Sequence, residues 1–330
     1  MDRRDFICGA VAGICVAPLV TGAQTPKTVR RIGVLSYSTR PTPAELQEMD
    51  APLYVPLREL GWVEGQNLTI ERRYANGRVE LVQPFAEELV RLKVEIILTN
   101  GTIATVAAKN ATTSIPIVMS SSGDPVRSGL VASLARPGGN VTGFALMLPE
   151  LDAKLLALLH ELLPNVQRVG VLVNRTNPVS SVRLKETEHV YASLGLRPIF
   201  IDVASPDELE NAVAEVVRER GQVLVVFEDS LFLSYKVPVM HAAQRYALPV
   251  IVEGRELLEA GGLLSYSGSE RERTQRVAAL LDKILRGAKP ADLPIEQPTK
   301  FELVINLKAA RALGITVPQS LLLRADAVIQ

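Results

Sequence analysis

The chain has 330 residues, enough for two domains of common size, and its 36 Lys+Arg balance its 36 Asp+Glu. Zero net charge leaves no basic surplus of the kind that binds nucleic acid. Hydrophobic residues make up 47% of the chain but aromatic residues only 5%, so the core has to be built from Val, Leu, Ile and Ala, the material of buried parallel strands packed under helices.

The N-terminus reads as an export signal. Arg3 and Arg4 precede an apolar stretch from Ile7 to Val20, and Thr21, Gly22 and Ala23 supply a small-residue cleavage site. A signal peptide over 1–23, cleaved after Ala23, places the mature chain in the periplasm. The Arg3-Arg4-x-Phe6-Ile7 pattern resembles the twin-arginine signal; Asp2 and Cys8 depart from it, and the general secretory route stays open. Both cysteines, Cys8 and Cys15, fall inside the segment, so disulfide and thiol chemistry are not expected of the mature protein.

From there strands and helices alternate. Arg30 to Ser38 reads as a strand ending in hydroxyls, and a helix from Ala44 to Leu60 follows. Asn67 to Tyr74 is a strand and Leu81 to Leu92 a helix. The apolar run at Ile96, Ile97 and Leu98 is a third strand. It breaks at Thr99-Asn100-Gly101-Thr102 and resumes with helical spacing. Ile115 to Ser122 is a strand, Val126 to Ala135 a helical piece, and Val141 to Leu146 a short strand. A second series then begins. Its helices cover 152–163, 178–194, 207–220, 232–246 and 270–286. Its strands cover 168–174, 197–203, 223–227, 249–253 and 261–267. Two such series predict an α/β protein with two doubly wound parallel-sheet lobes.

In open α/β sheets, ligands bind beyond the carboxyl ends of the strands. Here those ends carry Ser36, Tyr37 and Ser38, then Thr99 to Thr102, Ser120 to Ser122, Asn174, Asp229 and Ser230, and Glu253 with Gly254. The turn at 99–102 joins a strand to a helix N-terminus, whose free N–H groups and positive dipole end suit a carboxylate. The plainer alternative is that Thr99 or Asn100 caps the helix. Asp229 and Glu253, in the second series, are acceptors suited to an ammonium group, so an amino acid would satisfy both sides.

Signatures of catalysis are missing. There is no glycine-rich dinucleotide or phosphate loop and no nucleophile elbow. His160, His189 and His241 fall in predicted helices without a partner at metal-ligand spacing. Adjacent Glu228 and Asp229 are the one candidate acid/base pair, and one of them is expected to face away from the site. No cofactor, metal or catalytic residue is expected. Tyr37 and Tyr266 offer flat apolar surface, or core packing.

Asp124-Pro125-Val126, the run from Gly129 to Gly143 and the tail from Gly261 to Asp326 carry a family resemblance. The tail includes Ile284 to Pro298 and Asn306 to Pro318. The chain resembles the substrate-binding proteins of ABC transporters that include tryptophan/tyrosine-type binders. The resemblance implies a type I periplasmic binding protein: two lobes, a three-segment hinge and a ligand in the cleft. The first lobe would cover 29–145 and 268–297, and the second 146–267 and 298–330. Crossings would lie near 143–148, 266–270 and 296–300. It implies ligand contacts from Ser36, Asn100, Gly101, Thr102 and Ser121, with Asp124 either closing the rim or capping the next helix. The other lobe would add Asn174, Asn177, Asp229 and Glu253. The implied ligand is an amino acid or another small carboxylate, aliphatic as readily as aromatic given the few aromatics. The implied partner is an inner-membrane ABC permease, with the protein itself monomeric. A sensor that shows its closed form to a membrane receptor, and an enzyme acting on a small carboxylate, are the alternatives.

Overall fold

The computed structural model describes residues 29–42, 52–146 and 148–330. The export segment, both cysteines and the start of the helix expected from Ala44 lie outside them; the described part of that helix (α1) covers 52–59.

Two sheets organise the chain. The first has five parallel strands in the order β2-β1-β3-β4-β5. They are β1 (Arg30–Ser36), β2 (Leu68–Tyr74), β3 (Ile96–Asn100), β4 (Ile117–Ser121) and β5 (Val141–Gly143). Alternation along β3 feeds two cores at once: Ile97 packs on one face, Ile96 and Leu98 on the other. Helices α2 (Val82–Arg91) and α3 (Thr102–Ala111) cover the first face through Ala86, Leu89, Ala104 and Ala108. The opposite face is covered by a helix from late in the chain, α10 (Glu270–Leu285), through Val277, Leu280, Leu281 and Ile284. Trp62 Nε1 donates to Asp282 Oδ1 at 2.8 Å and fixes α10 there.

The second sheet has seven strands in the order β12-β11-β10-β9-β8-β6-β7. These are β6 (Arg168–Asn174), β7 (Arg197–Val203), β8 (Val223–Val226), β9 (Val250–Val252), β10 (Leu264–Gly268), β11 (Phe301–Asn306) and β12 (Ala327–Ile329). Around it lie α4 (Leu148–Leu162), α5 (Ser180–Ser193), α6 (Leu209–Arg218), α7 (Ser230–Ser234), α8 (Lys236–Arg245), α9 (Arg255–Glu259), α11 (Leu307–Ala312) and α12 (Gln319–Leu322). The pairing is parallel except between β10 and β11, which run antiparallel. The tail thus extends the second sheet.

The chain passes between the sheets three times: after β5, after β10 and before β11. The passages are hydrogen-bonded to one another. Ala145 N donates to Glu296 O at 2.8 Å, Glu296 N to Gly143 O at 2.8 Å, and Ser269 N to Lys300 O at 2.9 Å. At Gly143, φ is +139° and a Cβ would lie 2.3 Å from Met119 O, so only glycine fits where β5 leaves its sheet.

Two expected helices differ. Val126 to Ala135 forms turns, because Gly129 takes φ +70° after a single turn and Leu130 N and Val131 N both go to Pro125 O. The helix expected over 232–246 is two, broken at Tyr235. Pro238 cannot continue a helix into the residues before it, since it lacks an N–H and its ring meets the carbonyl four residues back. Among the described residues, no helix is long and apolar enough to cross a membrane.

Candidate functional site

The strand ends of the two sheets face one another across a cavity with about 700 Å³ of empty space, part of it open to solvent. From the first sheet it is lined by Asn100, Gly101, Thr102, Ser121, Ser122 and Gly123. From the second come Asn174, Asn177, Arg183, Phe227, Glu228 and Asp229. The sides touch around it. Thr39 N donates to Ser234 Oγ at 3.1 Å, the Tyr235 hydroxyl to Asn76 O at 3.2 Å, and Arg127 pairs with Glu186.

On the first side every polar group is neutral and held by a neighbour. Gly101 is the N-cap of α3, at φ +84°, and makes no side-chain capping bond. Thr99 and Asn100 do not cap the helix. Thr99 Oγ1 is buried against Thr105 Oγ1 at 2.8 Å, and Asn100 Oδ1 accepts from Ser121 Oγ at 3.0 Å. Thr102 Oγ1 meets Ser122 Oγ at 3.2 Å and accepts from Gly123 N at 3.2 Å. The opening N–H groups of α3 are therefore left without a side-chain acceptor, which makes this turn a seat for negative charge.

On the second side the centre is Asp229. Its Oδ1 accepts from Asn174 Nδ2 at 2.8 Å and from Leu231 N at 2.8 Å, capping α7. Its Oδ2 accepts from Asn177 Nδ2 at 2.7 Å. The two asparagines are themselves fixed: Asn174 Oδ1 takes Thr176 N and Oγ1, and Asn177 Oδ1 takes Val179 N. Burial raises the Asp229 pKa, and the donors from Asn177, Asn174 and Leu231 partly offset it. A carboxylate has about four acceptor positions; three are used here, and the one left is on Oδ2.

Beside it sits a buried ionic group that the sequence did not announce. Arg183, on α5, forms a two-point contact with Asp152: Nε to Oδ2 at 2.7 Å, and Nη2 to Oδ1. Nη2 also reaches Glu253 Oε2 at 2.6 Å, and Glu228 N donates to that same oxygen at 2.9 Å. The guanidinium carbon lies 3.7 Å from the centroid of the Phe227 ring. Burial alone would favour the neutral form of Arg183, but Asp152 and Glu253 outweigh it and hold the charge. Glu228 pairs with Arg273 of α10 at 3.1 Å. Burial pushes its carboxyl up to about 7, against the pull of Arg273, with Glu253, Glu270 and Glu256 adding to the rise.

Of the expected ligand contacts, Asn100, Gly101, Thr102, Ser121, Asn174, Asn177 and Asp229 line the cavity. Ser36, Asp124 and Glu253 are not among its lining residues. Ser36 is buried and its Oγ accepts from Ser38 N at 3.1 Å; Asp124 Oδ1 caps Val126 N and Arg127 N at 2.9 and 3.0 Å. Glu253 is 1% exposed and engaged by Arg183. Glu228 and Asp229 both line the cavity, contrary to expectation, because β8 has ended at Val226 and strand alternation no longer applies. Tyr37 is buried, and Tyr266 stacks on Phe301 with centroids 5.9 Å apart, so neither lines it. The three histidines lie on α4, α5 and α8, and no cluster of three metal-ligating side chains occurs among the described residues. Arg183 and Phe227 escaped notice because a lone arginine in a polar helix reads as solvated, while its partners stand 31 and 70 residues away.

Two α/β sheets, three passages between them and a polar cavity at the facing strand ends define a type I periplasmic binding protein architecture. Residues 46–329 match the family of ABC transporter substrate binding proteins, and the chain belongs to that family. It is similar to a tyrosine-binding protein of Clostridioides difficile (strain R20291), with 29% identity over 260 residues, 78% of this chain and 74% of that one. Among solved structures it resembles an ABC domain in complex with L-Trp from Streptococcus pneumonia. That match has TM-score 0.83 and 28% identity over 92% of this chain and all of the other. A conserved domain protein from Vibrio cholerae O1 biovar El Tor is similar too, with TM-score 0.84 and 26% identity over 91% of this chain and all of that one.

Proposed function

We propose that the protein is the exported solute receptor of an ABC importer and that it grips an amino-acid-like ligand between two hinged lobes. The lobes are 29–145 with 268–297, and 146–267 with 298–330. The observation that carries this reading is the asymmetry of the cavity. At the cavity the first side offers neutral donors and a helix N-terminus; on the second, Asp152, Glu228, Asp229 and Glu253 outnumber Arg183, and Arg273 reaches Glu228 from α10 of the first lobe. A ligand carboxylate sits at the α3 turn with Asn100, Gly101, Thr102 and Ser121 around it. Its ammonium group takes the acceptor position left on Asp229 Oδ2, within the Asn174–Asp229–Asn177 cradle. Glu253 supports the charged side from behind, through Arg183 Nη2 and Glu228 N. The tyrosine and L-Trp bound by relatives support an amino-acid ligand. Few as the aromatics are, Phe227 and Phe232 are at the cavity wall, so an aromatic side chain is as well accommodated as an aliphatic one.

Ligand binding favours the closed arrangement only as far as the ligand contacts both sides. The closed form is what a membrane permease receives, and the segment 1–23 directs the monomeric chain to the periplasm. The test is a calorimetric titration of the purified protein with the common amino acids, repeated on Asp229→Ala. At least one amino acid binds the wild type, and its affinity falls about 10- to 100-fold in the variant, the loss of a charge-assisted hydrogen bond. Unchanged affinity removes Asp229 from the site, and no binding of any amino acid sinks the reading.

A further inference from the structure

Arg183 is held on three edges and free on one. Nε and Nη2 are spent on Asp152 and Glu253, and Phe227 lies under the guanidinium plane. Among the described residues none accepts from Nη1. Nor is Nη1 one of the sealed side-chain atoms without a partner, although Glu253 Oε1 is. Arg183 lines the cavity, so its two remaining N–H donors open onto it in a fixed plane.

Charge decides what those donors receive. Two carboxylates already surround the single guanidinium, and Glu253 Oε1 is buried with no donor of its own. The group as a whole is anionic. A second carboxylate on the ligand would meet a donor pair inside a net negative field, whereas an uncharged oxygen takes the hydrogen bonds without that repulsion. The ligand's main carboxylate has its own neutral seat at the α3 turn.

We infer that Arg183 is a specificity-determining residue: its Nη1 donates to an uncharged oxygen on the ligand's side chain, a hydroxyl or a carbonyl, beside the Phe227 ring. This rests on the amino-acid reading of the cavity. It predicts discrimination between ligands that differ by that oxygen alone, and against those that replace it by a carboxylate.

The experiment titrates the purified protein with matched pairs: tyrosine against phenylalanine, threonine against valine, and glutamine against glutamate. Within each pair that binds, the member with the uncharged oxygen is expected to bind about tenfold tighter or more. A crystal structure with the tightest of them places its side-chain oxygen within hydrogen-bonding distance of Nη1. The triple variant Arg183→Met, Asp152→Asn, Glu253→Gln removes the whole ionic group and leaves no charge buried alone; the ratio within each pair falls toward one. Equal affinities within every pair overturn the inference, as does a ratio that survives the triple variant. A complex with the main carboxylate on Nη1 also overturns it, and that arm needs no variant to fold. Binding of no amino acid at all refutes the proposed function instead.

Discussion

On the side of the cavity that follows β3 and β4, the polar groups are hydroxyls and an amide held by neighbours on the same side, beside the open N–H groups at the start of α3. On the side that follows β6, β8 and β9, they are carboxylates and a guanidinium taken out of water. The neutral side costs little to desolvate and does not change with pH. The charged side is tolerable only because every ion has a partner, since an unpaired buried ion costs several kcal/mol. Two routes thus lead to one polar cavity wall. A helix N-terminus supplies positive potential without a titratable group, while negative potential requires carboxylates and the apparatus that keeps them paired.

That contrast predicts where damage is greatest. Arg183→Met removes the guanidinium that Asp152 and Glu253 share and is expected to lower unfolding stability by about 3–5 kcal/mol. Ser121→Ala on the neutral side costs about 1 kcal/mol. Denaturant unfolding of both variants checks the comparison, and similar losses would break it.

The next effect is a pH dependence confined to the charged side. Burial lifts the Glu228 carboxyl from about 4.5 to about 7, so the folded state holds this proton more tightly than the unfolded chain does. The folded state carries the extra proton between those values, and this group's contribution to stability falls as pH rises through that window. Glu228→Gln removes the dependence. Its melting temperature relative to wild type should climb from pH 4.5 to pH 7, by the equivalent of on the order of 2 kcal/mol. A constant difference across the window would show that the proton is not held there.

The smallest effect sharpens the comparison at its seam. Gly101 has φ +84°, and a Cβ on it would lie 2.5 Å from Ser230 Oγ of the opposite side. Gly101→Ala is therefore expected to oppose closure, lowering ligand affinity about tenfold, while its backbone strain costs roughly 1 kcal/mol of stability. Titration beside thermal unfolding separates the two, and an unaltered affinity would mean that Gly101 and Ser230 do not meet in the bound form.

Some of this was legible in the residues. Continuous apolar runs such as Ile96 to Leu98 and Val223 to Val226 announce strands buried on both faces, because the code for such burial is local. The polar clusters after them include eight of the residues that line the cavity, since in a parallel sheet every strand delivers its last residues to the same edge. Pro238 was a readable break that the longer helical pattern masked. The stretch after Asp124 has helical composition, but its backbone donors find carbonyls in a turn that Gly129 closes.

The chain by itself determined the alternation of strand and helix, the two series, the edge at which polar groups collect and the family to which they point. All of these follow from periodicities and turn residues within a few positions of one another. Only the tertiary structure decided that Arg183 turns inward, that Glu253 is spent on it, that Glu228 is tied to α10, and that β11 enters its sheet antiparallel. Each of those depends on partners tens of residues distant, and the free energy that settles a buried charge lies in its partner's position, which no local pattern encodes.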